Sequence, residues 1–249
     1  MRAMIFAAGL GTRLHPITDT KPKALVEISG IPLLEIAIKT LIKFGFQDII
    51  INVHHFASQI TGFLEEKKNF GINLTISDET DRLLDTGGGL KKASWFFSDG
   101  KPFLVYNVDI LTNLDLGAFY QAHTYSNAIA TLAVRKRTAA RCLLFDEQDA
   151  KKLTLCGWKN SKTNEIKIAR ASLGEPKELA FSGIHIIDPG LFKLMSEDGK
   201  FSIIDTYLRV AQTHCIAGYL HDDSLWLDVG KPESLGKAAA LLNRLDLSA

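Results

Sequence analysis

Residues 2–8 form a short, almost wholly apolar run that stops at Gly9, the pattern of a strand covered on both faces in a parallel sheet. Pro32 suits the first turn of a helix, because Leu34, Ala37, Ile38, Leu41 and Ile42 follow at 3.6-residue spacing and Gly45 ends the run. The alternation continues with a strand at Asp48 to Val53, a helix at Ala57 to Lys68, a strand at Ile72 to Ser77, a helix at Gly88 to Phe97 and an apolar strand at Phe103 to Val108. Crossovers of this length force parallel pairing, so the order predicts an α/β fold with a doubly wound, Rossmann-like sheet.

The character changes after a helix at Asp115 to Ser126. Short strands joined by polar turns are predicted at Ala128 to Val134, Arg141 to Phe145, Leu153 to Trp158, Glu165 to Ala169 and Leu179 to Ile187. Helices at Pro189 to Met195 and Ile203 to Thr213, strands at Cys215 to Leu220 and Leu225 to Val229, and an amphipathic helix from Pro232 complete the pattern. No linker rich in Gly, Ser or Pro separates the parts. The expectation is one domain over residues 1–249, with a nucleotide-binding half at 1–127 and a smaller mixed α/β half at 128–249 that closes over the same cleft and makes the whole sheet mixed.

Composition narrows the partners. With 29 Lys+Arg against 28 Asp+Glu the net charge is +1, which gives no general attraction to nucleic acid or to an anionic membrane. Residues 135–170 carry 10 basic and 4 acidic side chains, so any anion-attracting surface is local. The three cysteines, Cys142, Cys156 and Cys215, include no C-x-x-C pair and fit buried thiols in a reducing compartment. The apolar start is too short for a secretory signal and no run approaches a membrane span, so a cytoplasmic protein, monomer or homodimer, is expected.

Candidate chemistry begins at the first loop. In Ala7-Ala8-Gly9-Leu10-Gly11-Thr12-Arg13, which follows the first strand directly, two glycines let the backbone curl N–H groups toward phosphate oxygens at the carboxyl edge of the sheet, and Arg13 adds a forked cation. The dinucleotide fingerprint is absent, since its third glycine would fall at Leu14, and so is a G-x-x-x-x-G-K-[ST] loop. An ordinary strand-to-helix turn remains the alternative for a G-x-G alone. About ten residues on, Pro22 stiffens the segment that carries Lys21 and Lys23, which can hold an ammonium toward the same phosphates.

Together the glycine loop, Arg13 and Pro22-Lys23 resemble the signature of the sugar-1-phosphate nucleotidylyltransferases, which build NDP-sugars from an NTP and a sugar 1-phosphate. Three later segments extend the resemblance in the same order: Leu84-Asp85-Thr86-Gly87-Gly88-Gly89, similar to the glycine-rich segment against the base; Val105-Tyr106-Asn107-Val108-Asp109, similar to the strand ending in a metal-binding aspartate; and Trp226-Leu227-Asp228-Val229-Gly230, similar to the segment with the second aspartate. The match is nearest to short members, the N-acetylmuramate-1-phosphate uridylyltransferases of cell-wall recycling and enzymes labelled mannose-1-phosphate guanylyltransferases.

The resemblance implies the fold of nucleotide-diphospho-sugar transferases, an NTP and a sugar 1-phosphate as partners, and Mg²⁺ held by Asp109 and Asp228. It implies nucleotide binding by Ala8, Gly9, Gly11, Thr12, Arg13, Lys23, Asp85, Thr86, Gly87, Gly88 and Asn107, with Arg13 and Lys23 as the catalytic cations. Two departures stand out: Ala24 and Glu27 replace prolines common after the lysine, and Val108 replaces a common glycine. The usual E-K-P segment is missing. Gly157-Trp158-Lys159-Asn160 takes roughly its position, which makes Lys159 a candidate for the acceptor phosphate, while Ser182 and Gly183 resemble the small residues that admit sugar hydroxyls.

Other conspicuous groups read as structural. His54-His55 has no third ligand at zinc spacing, and Arg135-Lys136-Arg137 reads first as a solvated strand end, with attraction of an anionic substrate as the alternative and RNA binding a distant third. UTP with N-acetylmuramate 1-phosphate is the expected pair, and GTP with mannose 1-phosphate the alternative. A glycosyltransferase that uses an NDP-sugar lacks a reason to keep the triphosphate elements around Gly9, Gly11, Arg13 and Lys23, and intact Lys23, Asp109 and Asp228 argue against a subunit that only senses nucleotide.

Overall fold

A ten-stranded mixed sheet organises the computed structural model, which describes residues 1–148 and 152–245. The first half contains β1 (Arg2–Phe6), β2 (Glu27–Ile28), β3 (Ile31–Pro32), α1 (Leu33–Lys43), β4 (Asp48–Val53), α2 (Ala57–Glu66), β5 (Asn73–Asp78), α3 (Asp85–Lys92), β6 (Phe103–Asn107), β7 (Ile110–Thr112) and α4 (Leu116–Thr124). The second contains β8 (Ala130–Arg135), β9 (Arg141–Gln148), β10 (Lys152–Asn160), β11 (Glu165–Ile168), β12 (Lys177–Ile187), α5 (Leu191–Leu194), α6 (Ile203–Val210), β13 (Ile216–Leu220), β14 (Trp226–Asp228) and α7 (Pro232–Leu242). Strand order across the sheet is β11-β10-β13-β8-β12-β6-β1-β4-β5, with β9 paired to β10 and β12. The parallel block β6-β1-β4-β5 meets the second half at the antiparallel β12–β6 pair, so one sheet spans both halves.

The central strands are apolar on both faces because both are covered. Ala3 and Ile5 pack in one core with Leu34, Ala37, Ile38 and Leu41 of α1, while Met4 between them packs in a second core with Leu90 of α3 and Tyr207 of α6. The same alternation runs through Ile49, Ile50 and Ile51 of β4. A period of two feeding two separate cores is the doubly wound arrangement, and it explains why these runs show no polar face.

Three differences from the sequence-based elements bear on function. β1 ends at Phe6 rather than continuing to Ala8, because the N–H groups of Ala7 and Ala8 turn to the Asn52 side-chain oxygen, at 2.7 and 3.3 Å. The third helix starts at Asp85, three residues before Gly88, and ends at Lys92, with a separate turn at Ser94–Phe97. Finally, β7 and β14 form a two-stranded ribbon outside the large sheet, and β7 had no counterpart in the hydrophobic pattern.

Two buried imidazoles give the second half an acid sensitivity. Burial drives His185, in the middle of β12, down to about 3, and drives His221 down to about 4. Between those values and the ordinary 6.5 the unfolded chain binds more protons than the folded one, so their contribution is complete above about pH 6.5 and falls as the pH drops. At about 1.4 kcal/mol per pH unit for each group, stability should fall by roughly 2–3 kcal/mol between pH 7 and 5.5. Urea unfolding at the two pH values measures this, and unchanged stability would show that both imidazoles protonate freely in the fold.

Candidate active site

The carboxyl ends of β1 and β6 open into a cleft of about 480 Å³. Ala8, Gly9, Gly11, Thr12, Arg13, Lys23, Asp85, Thr86, Asn107 and Asp109 all line it, so most of the predicted nucleotide elements converge on one cavity. This is the edge where α/β sheets present loop backbone to ligands.

The two glycines of the first loop are there for different reasons. Gly11 has φ 68°, and a Cβ on it would lie 2.9 Å from Thr18 Cγ2 and 3.1 Å from Lys23 Cβ, so both its backbone and the stem of Lys23 exclude a side chain. Nothing in the protein lies within 4 Å of a Cβ placed on Gly9. Its missing side chain therefore leaves room on the cleft side. The turn at Thr12–Leu14 follows, anchored by buried Leu14, and carries Arg13 out into the cleft.

Lys23 begins a tight turn set by Pro22, whose carbonyl accepts from Leu25 N–H at 2.9 Å. Its side chain is buried and its ammonium forms an ion pair with Asp109, the residue that ends the β6 segment. Asp228 arrives from more than a hundred residues away through the ribbon, in which it pairs with Ile110 while Val229 N–H donates to the Asp109 carbonyl at 2.8 Å. Burial, and then the charge of Asp109, raise the Asp228 pKa; Lys23 and Arg13 oppose them. Asp228 Oδ1 is buried without a hydrogen-bond partner. It lies 2.6 Å from where a Cβ on Gly230 would sit, and Arg13 Nη2 lies 2.8 Å from the same point. Arg13, Lys23 and Asp109 thus share the cleft lining, and Asp228, itself outside the lining, stands behind Gly230 beside Arg13.

Comparison with known proteins places this arrangement. The Nucleotidyl transferase family matches residues 2–143. The chain is 31% identical over 242 residues to the N-acetylmuramate alpha-1-phosphate uridylyltransferase of Caulobacter vibrioides, covering 96% of each. The chain belongs to the sugar-1-phosphate nucleotidylyltransferase family. A protein of the same name in Neisseria meningitidis serogroup B is also 31% identical, covering 97% of this chain and 98% of that one. A crystal structure of UDP-glucose pyrophosphorylase complexed with UDP-glucose shares the fold, with a TM-score of 0.78 at 18% identity and 98% of each chain covered.

Within this nucleotidylyltransferase, several residues singled out in the sequence lie elsewhere. Gly87 and Gly88 are not in the lining of the cleft: a Cβ on either would strike Phe201 at 2.3 Å or the Gly199 carbonyl at 2.1 Å, so they serve close packing of α3 on the segment at 199–201. Lys159 pairs with Glu178 at 2.5 Å on an exposed surface and is also outside the lining. Ser182 is fully buried with its hydroxyl 2.7 Å from His221 Nε2. Gly183, at φ 76° in an irregular stretch of β12, makes room for Asn107, whose Nδ2 would be 2.8 Å from an added Cβ. His54 Nδ1 sits 2.6 Å from the Glu79 carbonyl oxygen, a backbone contact.

The hydrophobic pattern gave no hint of Asn52 and Glu79. Asn52 takes the Ala7 and Ala8 N–H groups with its oxygen and donates from Nδ2 to Glu79 Oε1 at 2.8 Å. Glu79 Oε2 accepts from Leu84 N–H at 3.1 Å, and burial raises the Glu79 pKa. One buried acid and one amide therefore tie the first loop to the segment leading into α3. Lys200 also lines the cleft.

Proposed function

We propose that this enzyme transfers the uridylyl group of UTP to N-acetylmuramate 1-phosphate, giving the UDP-sugar and pyrophosphate, with Arg13, Lys23, Asp109 and Asp228 as its charged machinery. Arg13, Lys23 and Asp109 in the cleft lining, with Asp228 next to Arg13 at Gly230, carry the reading of the chemistry. The choice of substrates rests on the two uridylyltransferase relatives, which align with this chain over nearly their whole lengths.

The acceptor phosphate has a second pKa of about 6 and is largely dianionic at neutral pH, so no general base is needed to make the nucleophile. The obstacle is repulsion between that dianion and the triphosphate, together with charge that grows on the leaving pyrophosphate. Arg13 holds the β- and γ-phosphates, its fork matching two phosphate oxygens. Lys23, immobilised by its turn and stripped of water, holds the α-phosphate and stabilises the departing pyrophosphate. Ala8, Gly9, Gly11 and Thr12 shape the wall along the triphosphate, and Asp85, Thr86 and Asn107 line the nucleoside side of the cleft.

The acid pair fits a divalent cation. Asp228 has an orphaned buried oxygen and a raised pKa beside a second carboxylate, a condition that a hard cation relieves by favouring the ionised form. Asp109 and Asp228 would hold Mg²⁺, which would supply charge neutralisation for the reacting phosphates.

A matrix of NTPs against sugar 1-phosphates, read out as pyrophosphate release with Mg²⁺ present, tests the assignment. UTP with N-acetylmuramate 1-phosphate should give the highest kcat/KM. Exclusive use of GTP with mannose 1-phosphate would overturn the substrate pair and leave the chemistry standing, whereas no pyrophosphate from any combination would overturn the chemistry as well.

A further inference from the structure

Strand β14 and the residues after it form a line with a guanidinium at each end. At the Gly230 end stands Arg13, packed where a Cβ on Gly230 would fall. At the Trp226 end stands Arg137, whose guanidinium carbon lies 4.6 Å from the centre of the Trp226 ring. Asp228 lies midway, close enough to both guanidinium groups to act on each electrostatically. The two ends, Trp226 and Gly230, are four residues apart in the chain with Asp228 between them.

Arg137 differs from its neighbours in having donors to spare. Arg135, on the same ring at 5.8 Å, gives its guanidinium to the carbonyls of Ser224 and Asp222. Arg137 uses Nη2 to reach the Phe181 carbonyl at 3.3 Å and forms no ion pair among the described residues, which leaves most of its five N–H groups available. Its side chain is exposed and lies outside the cleft lining, as Trp226 and Asp228 do, but Phe181 leads into Ser182 and Gly183, where β12 meets Asn107 of the cleft. The Lys159 ammonium, by contrast, is already neutralised by Glu178.

In-line displacement at the α-phosphorus puts the incoming oxygen opposite the leaving pyrophosphate. With the pyrophosphate at the Arg13 end, the nucleophile approaches from the Arg137 end. We propose that Arg137, braced on Trp226, binds the phosphate of the sugar 1-phosphate and orients it for attack. This rests on the function proposed above, and it replaces Lys159 in that role. The Arg135-Lys136-Arg137 run thereby gains a purpose that a solvated strand end would not have.

The test is R137M, with K159M as its counterpart. R137M should raise the KM for the sugar 1-phosphate by about tenfold to a hundredfold, the cost of one charge-assisted phosphate contact, with the KM for UTP and the melting temperature unchanged. K159M should leave the acceptor KM within about twofold, and R137K should recover part of the loss because it keeps the charge without the fork. An unchanged acceptor KM in R137M, or the large rise appearing in K159M instead, overturns the assignment.

A second measurement needs no turnover. In a background with Trp95→Phe and Trp158→Phe, N-acetylmuramate 1-phosphate added in the presence of an α,β-imido analogue of UTP should alter Trp226 emission, and R137M should abolish the response. A response retained in R137M, or none with Arg137 present, overturns the proposal. A response lost in R137M from a protein that releases no pyrophosphate would sink the proposed reaction and leave this phosphate site intact.

Discussion

A Lys23→Met protein should keep its fold, melt at a lower temperature because Asp109 and Asp228 lose the cation between them, and release pyrophosphate at least a hundred times more slowly. The ammonium lies in a site with little water, where one fixed cation near developing charge is worth about two to three orders of magnitude in kcat. Its placement is built in twice: Pro22 sets the turn, and Gly11 leaves the space its stem occupies. Methionine fills the same path without the charge, so packing against the glycine loop persists and the loss is chemical. The KM for UTP should move much less than kcat, because Arg13 and the loop still bind the rest of the triphosphate. Pyrophosphate release measured alongside a thermal melt decides the matter; a folded variant with undiminished kcat would remove Lys23 from the reaction.

Asp228→Asn should separate activity from stability. Its carboxylate is partly buried, faces a second carboxylate and has a buried Oδ1 with no hydrogen-bond partner, so ionisation costs the folded state above its raised pKa. An amide removes that charge. In EDTA at neutral pH the variant should be more stable than the unsubstituted protein by about 1–2 kcal/mol, visible as a higher melting temperature. Turnover should fall by about a hundredfold or more, and the Mg²⁺ concentration needed for half-maximal rate should rise. Asp109→Asn should lose comparable activity without the stability gain, because it strips the buried Lys23 ammonium of its partner. Lower stability for Asp228→Asn in EDTA would mean that the carboxylate serves the fold rather than a cation.

What the sequence made legible follows from how local each signal is. The strand at Asp48–Val53 was bounded correctly because every one of its apolar residues enters one of two cores and polar residues flank it. The glycine loop, Lys23 and the two aspartates were legible as residue types in order along the chain. Their meeting place depends on β7, which is three residues long, is cut off from the apolar run before it by Asp109 and has its partner beyond residue 225. No local period announces such a strand. Asn52 was hidden for a related reason: it reads as one polar residue inside an apolar strand, and only the register of β4 with β5 and the path into Glu79 gives its amide something to hold. The triple glycine was visible but open in meaning, since contact with a base and close helix packing ask for the same residue. The carbonyl of Gly199 decides for packing at Gly88.

The ribbon that joins Asp109 to Asp228 also sets when the enzyme becomes competent. Its second strand follows β7 by more than a hundred residues, so during synthesis the first loop and Asp109 are made long before Asp228. Under the chemistry proposed above, a copy terminated between the two strands would be born with half of the acid pair.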